Sequence, residues 1–108
     1  MFQKYKWKKR LLISYFKDDK FHSVISKDII RYFMQNSLEI EERLIKYIAI
    51  TEHDFIINQI QIFDKDTFGL FLVGLDGTVK MYSKDLTILD SLFDIIDHMP
   101  MRKMDMKK

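Results

Sequence analysis

Phe68–Ser83 reads FGLFLVGLDGTVKMYS. Its first half, Phe68–Leu75, is almost wholly apolar, which fits a strand covered on both faces. Asp76-Gly77 then supplies a two-residue turn, because glycine adopts positive φ without a Cβ clash. Thr78–Ser83 sets Val79 and Met81 against Lys80 and Tyr82, the alternation of a half-buried strand. The stretch therefore predicts an antiparallel hairpin. Gly74 inside its first strand marks a bulge or a close approach of the backbone to another group.

The N-terminal half supplies more strands. Arg10–Phe16, RLLISYF, is apolar, β-branched and aromatic over strand length. Lys17-Asp18-Asp19-Lys20 follows, and either aspartate suits a helix N-cap. Phe21, Val24, Ile25, Ile29, Tyr32 and Phe33 then recur as one helical face, with Asn36-Ser37 as its end. Glu39–Glu42 reads as a solvated acidic link. Leu44–Thr51, LIKYIAIT, reads as a second strand, and a helical crossover makes it parallel to the first. Glu52–Thr67 fits either a short helix or a small hairpin turning near Asn58-Gln59. After the hairpin, Ile88, Leu89, Leu92, Phe93, Ile95, Ile96 and Met99 form the stripe of a last helix. Thr87 with Asp90 resembles its capping box, and Asp90, Asp94 and Asp97 mark its opposite face. Pro100 ends it.

The order is β-α-β, an open segment, then β-β-α. That is an α/β domain with a mixed central sheet of about four strands flanked by helices, the thioredoxin-like arrangement. A length of 108 residues makes it a single domain over 1–108, with 102–108 as a loose basic tail. Hydrophobic residues at 47% and nine Phe are enough to fill a core.

Composition excludes several functions. The chain has no cysteine, so thiol–disulfide chemistry, iron–sulfur clusters and thiolate zinc sites are excluded. No apolar run is long enough to span a bilayer. The start, MFQKYKWKKR, is basic but lacks the apolar core of a signal peptide. Bases concentrate at the two ends around an acidic middle. That is not the footprint of a nucleic-acid domain, so nucleic acid is not the expected partner.

Three elements carry a family resemblance: Trp7–Ile13 (WKKRLLI), Gly74–Lys80 (GLDGTVK) and Ile96–Arg102 (IDHMPMR). Together they resemble the bacterial domain-of-unknown-function family 4174, with the Met-Pro-Met-Arg element as the most specific part. The residues matching its pattern include Trp7, Arg10, Asp76, Gly77, Lys80, Asp97, Met99, Pro100, Met101 and Arg102. The resemblance implies a thioredoxin-like fold, a suggested redox role, frequent export to the periplasm or exterior, and kinship with C-terminal modules of sushi-repeat and coiled-coil-80-like matrix proteins. The sequence departs from the redox implication. The loop after the first strand, where a thioredoxin-like enzyme carries its nucleophilic cysteine, is Lys17-Asp18-Asp19-Lys20. Thr67, not proline, precedes Phe68.

Each remaining site candidate has a plain alternative. Lys17, Asp18, Asp19 and Lys20 stand where such folds bind anions, or they are a cap flanked by solvated charges. His98, Met99 and Met101, with Met104 and Met106, are donors that suit Cu(I), or they close the helix and trail off. His22, His53 and His98 lie on separate segments and read as ordinary polar residues. Asp94 and Asp97 are one turn apart and read as a solvated face, with Asp97 also placed to pair with Arg102. KYKWKKR interleaves aromatic and basic residues as single-strand binders do, or Trp7 packs on the domain. Sheet edges near Tyr5, Tyr82 or Phe55 would suit a protein partner. The expected role is a non-enzymatic interaction or structural module that needs no cofactor.

Overall fold

A computed structural model describes residues 1–102. Four strands form one mixed sheet in the order β2-β1-β3-β4. They are β1 (Arg10–Tyr15), β2 (Ile45–Ile50), β3 (Gly69–Val73) and β4 (Val79–Ser83). β1 and β2 are parallel, and β3 runs antiparallel to both β1 and β4. The helices are α1 (Asp19–Gln35), α2 (Ser37–Glu42), α3 (Glu52–Ile57) and α4 (Ile88–Asp97), and a single 3-10 turn spans Gln3–Tyr5.

Side-chain alternation along β1 splits the interior in two. Leu12 faces a core built with Ile25 and Ile29 of α1, Ile40 of α2, and Ile88, Leu92 and Ile96 of α4. Leu11, Ile13 and Tyr15 face a second core with Phe55 of α3, Ile60 and Phe71. The second core is largely aromatic. The Tyr15 ring stacks on Phe55 and Phe68, and Phe63 stacks on Phe71 with ring centres 3.9 Å apart. The Tyr15 hydroxyl donates to the Lys65 carbonyl at 2.7 Å, so its polar end is satisfied.

Several expectations are corrected. Glu39–Glu42 is not a solvated link but part of α2, which exists because Ile40 reaches the first core. The open segment Glu52–Thr67 begins as helix α3, closed by a full capping box. Thr51 Oγ1 accepts from the Asp54 N–H, and Asp54 Oδ2 accepts from the Thr51 N–H. The box expected at Thr87–Asp90 does not form. Instead the Asp85 carboxylate accepts from both the N–H and the hydroxyl of Thr87. The buried face of α1 is His22, Ile25 and Ile29, whereas Phe21 and Val24 are exposed. Trp7 does not pack on the domain and is 59% exposed. α4 stops before Pro100, and residues 100–102 are helical again, so the proline opens a turn as well as ending one.

Gly74 marks a close approach, because an added Cβ would lie 2.7 Å from Cε of Lys80. The register shift in the hairpin falls one residue earlier, at Leu72/Val73. Gly69 is the more demanding glycine. Its φ is +154°, and a Cβ there would meet the Ser83 carbonyl at 2.5 Å and the Tyr82 ring at 2.6 Å. That ring is held in place by a hydrogen bond from the Tyr82 hydroxyl to the Phe68 carbonyl. Gly69→Ala should therefore destabilise the domain by about 2 kcal/mol. Urea unfolding of the variant beside wild type measures this.

Candidate functional site

The loop Lys17–Lys20 uses its own carboxylate. Asp18 Oδ1 accepts from the Lys20 N–H at 2.9 Å and from the Phe21 N–H at 3.3 Å, capping α1. The position at which the helix end would attract an anion is already filled by Asp18. Lys17, Asp19 and Lys20 stand exposed around it.

Beneath this cap lies a polar chain that the sequence did not reveal. Ser14, in the middle of β1, is fully buried. Its Oγ lies 2.7 Å from Nε2 of His22 and 2.6 Å from the Tyr47 hydroxyl, which lies 2.7 Å from Oγ of Ser26. One proton order satisfies every member: Ser26 donates to Tyr47, Tyr47 to Ser14, and Ser14 to His22. The chain staples α1 to β1 and β2. A serine beside a histidine suggests a nucleophile, but Ser14 has no exposed surface for a substrate to reach. Burial pushes the His22 imidazole below its ordinary pKa, against an opposing pull from Asp19. A helical period would have flagged His22, since it is three residues before Ile25 on the buried face.

The residues that carry the family resemblance converge at the other end of β1. Arg10, Gly74, Leu75, Asp76, Lys80, Met99, Pro100 and Met101 line one cavity of about 220 Å³. In the hairpin, Asp76 accepts from the N–H and hydroxyl of Thr78 and from Nζ of Lys80 at 2.8 Å. The Lys80 ammonium above all, with the Thr78 N–H, lowers the Asp76 pKa to about 2. Gly77 closes the turn with φ +82°. Asp97 does not face water as a simple solvated residue. Its two oxygens accept from Nε and an Nη of Arg43 at 2.9 Å each, and Arg102 Nε adds a contact at 3.3 Å, the pairing expected across the proline. Arg102 also reaches Glu42 at 2.9 Å and is itself buried. Arg43 lies over the Phe93 ring, and its carbonyl accepts from buried Arg10. These side chains latch α2, α4 and the turn after Pro100 to the start of β1. Asp94, by contrast, is exposed.

The metal candidates among the described residues each have other contacts. His98 Nδ1 bonds the Asp94 carbonyl at 2.7 Å, Met99 packs on the first core, and Met101 lines the cavity. Met104 and Met106 lie outside the described residues. His53 is exposed on α3, far along the chain from His22 and His98. Among the described residues there is no group of three His or carboxylate side chains placed to hold a metal. No helix of the described residues is long and apolar enough to cross a membrane.

Among the described residues both edges of the sheet, β2 and β4, lack a further strand, and the β2 edge is the more regular. β2 ends the sheet, and its neighbour β1 uses only one of its sides. The Arg10 N–H bonds the Leu44 carbonyl at 2.7 Å. Alternation then points the backbone groups of Lys46, Ile48 and Ile50 at β1, and those of Ile45, Tyr47 and Ala49 outward. Beside this edge runs α1. Ser26 touches Tyr47, and one and two turns further on stand Ile30 and Met34, 48% and 73% exposed. Leu38 of α2 follows, also exposed.

Two measurements test the buried polar groups. Asp97→Ala leaves Arg43 and Arg102 facing each other without their carboxylate, and should cost about 3 kcal/mol in denaturant unfolding. For His22 the native pKa is the lower one, so the unfolded chain takes up the proton first. Stability should be full above about pH 6.5 and fall as the pH drops toward the native pKa. Unfolding curves across that range check this, and His22→Gln should flatten the step.

No curated protein and no solved structure matches the chain. One family model does, over residues 52–105, which takes in both the hairpin element around Asp76 and the Met-Pro-Met-Arg element and leaves Trp7–Ile13 outside. The match covers half of the chain, and the chain belongs to this family, described as Domain of unknown function (DUF4174).

Proposed function

We propose that this domain is a non-enzymatic interaction module that docks a protein strand on the free edge of β2. The observation that carries the reading is that edge: outward backbone groups at Ile45, Tyr47 and Ala49, bordered by the exposed apolar pair Ile30 and Met34. An added strand would satisfy those groups, and its side chains would cover the apolar pair. The opposite edge, β4, is poorer for this purpose. Its pairing with β3 is irregular at the Leu72/Val73 shift.

The chemistry of the rest agrees. The chain lacks the thiol that redox work needs. Its serine–histidine pair is sealed in the core, and its motif charges are engaged with one another. The thioredoxin-like reading of the fold draws support from the strand order β2-β1-β3-β4, with α1 and α4 on one face and α3 on the other. The family resemblance favours an exported setting.

A photo-crosslinking amino acid placed at Ala49 tests the surface in the cells that make the protein. Adducts with a protein should form from position 49 and not from Lys84, beyond the other edge. Equal labelling from both positions, or none from Ala49, would sink the reading.

A further inference from the structure

We infer that the turn at the start of the chain is a docking surface for an anionic lipid bilayer, with Trp7 seated among the headgroups and Lys4, Lys6, Lys8, Lys9 and Lys46 facing lipid phosphates. The inference is independent of the strand-docking reading.

Residues 1–10 hold Lys4, Lys6, Lys8, Lys9 and Arg10 and no carboxylate. The turn that carries them is ordered by its own bonds. The N–H groups of Lys8 and Lys9 each donate to the Tyr5 carbonyl at 2.8 Å, and the Trp7 N–H donates to the Leu75 carbonyl at 2.7 Å. Phe2 and Tyr5 pack on the second core. Trp7 does the reverse. Its φ of 68° lies in the left-handed region, which is costly for a bulky residue. Its ring belongs to neither core and is 59% exposed. The Lys6 ammonium lies over that ring, 5.9 Å from its centre. The Lys4 and Lys46 ammonium groups lie over the Tyr5 ring at 5.1 and 5.9 Å, which brings Lys46 of β2 into the same patch. Among the described residues none of these five lysines makes an ion pair.

Carboxylates do not cancel the patch. Asp76 shares a cavity wall with Lys6 but is paired with Lys80. On the same face of the sheet, Asp54 is taken up in the capping box of α3. Asp64 and Asp66 flank Lys65, whose carbonyl bonds Tyr15 at the far end of β1. Glu52 lies there too, since burial first, then the charges of Glu52 and Asp66, raise the pKa of the Tyr15 hydroxyl. Six strand residues span about 20 Å, more than twice the screening length of about 8 Å at physiological salt. The remaining carboxylates of the described residues belong to α1, α2 and α4 or their caps, and these helices cover the other face.

A nucleic-acid strand also takes aromatic rings and lysines, but it uses a row of stacking faces. The neighbouring ring, Tyr5, is half-buried and has two ammonium groups over it. A single exposed indole among ammonium groups fits the boundary of an anionic bilayer instead. There the indole lies at headgroup level, and each nearby lysine adds its own attraction.

Trp7 is the only tryptophan, so its fluorescence reports the contact. Vesicles of equal parts phosphatidylglycerol and phosphatidylcholine should shift its emission to the blue and carry the purified chain into the pellet. Vesicles of phosphatidylcholine alone should do neither. Each lysine near the surface contributes about fivefold, so Lys6→Ala with Lys8→Ala should weaken partitioning about thirtyfold. Lys6→Arg with Lys8→Arg should keep it. Trp7→Gly, which suits the backbone at φ 68°, should weaken sedimentation without lowering the urea midpoint. Absence of partitioning into anionic vesicles overturns the inference, and so does equal partitioning into both vesicle types. Binding that the double alanine variant keeps in full belongs to other bases of the chain and overturns it as well. Quenching of Trp7 by an oligothymidylate without any vesicle binding assigns the patch to nucleic acid and likewise overturns it.

Discussion

Strand β1 has no solvent face. All six of its residues are buried, with one neighbour parallel and the other antiparallel. Such a strand is stable only if both of its faces are covered and every backbone group is paired. The two cores follow from this requirement. α1, α2 and α4 cover the side of Leu12, and the aromatic cluster around Tyr15 covers the side of Leu11 and Ile13. The one polar side chain in its middle, Ser14, is costly to bury alone. His22, Tyr47 and Ser26 supply the partners, and in doing so fix how α1 lies on the sheet.

The same strand organises the charged residues at its other end. Arg10 enters the interior as β1 begins and donates to the carbonyl of Arg43. Arg43 meets Asp97, and Asp97 meets Arg102, so chain segments far apart in sequence are closed against one another. Partly buried ion pairs of this kind are weak evidence for stability but costly to break. Their geometry gives the Met-Pro-Met-Arg element a structural task. Pro100 turns the chain between two short helical pieces, and Arg102 then reaches back to Asp97 and Glu42. In the hairpin, Asp76 and Lys80 neutralise each other in the same way. The charged motif residues thus close distant segments of the domain against one another.

Much of this was legible because it is local. The continuous apolar runs of β1 and β3, the Asp76-Gly77 turn and the stripe of α4 each depend on residues close in sequence. Asp97 with Arg102 was legible for the same reason. The illegible parts depend on distance. α2 looked like an acidic link because its single anchor, Ile40, has meaning only once the first core exists. α3 was ambiguous because six residues are too few for a period to declare itself, and its capping box decides the matter. His22 looked ordinary because its partners, Ser14 and Tyr47, come from two strands. Trp7 misled in the other direction. A large aromatic next to a strand suggests packing, but a φ of 68° and the bond from its N–H to the Leu75 carbonyl turn the ring outward.

The two edges of the sheet are treated differently. Natural sheets guard an edge with charge, bulges or proline, because unpaired backbone groups invite other strands. β4 has its register shift nearby and Lys80 folded over Gly74. β2 has a regular ladder on one side and only Lys46 as a charge. The apolar residues exposed beside it cannot be relieved by rotating α1. That helix is held by the Ser14 chain on the β2 side and by the Tyr32 hydroxyl bonding to the Leu89 carbonyl on the α4 side. The constraint that buries β1 therefore also holds Ile30 and Met34 out beside an open strand. An interior device thus sets the form of the exterior surface: a regular strand edge with an exposed apolar row beside it.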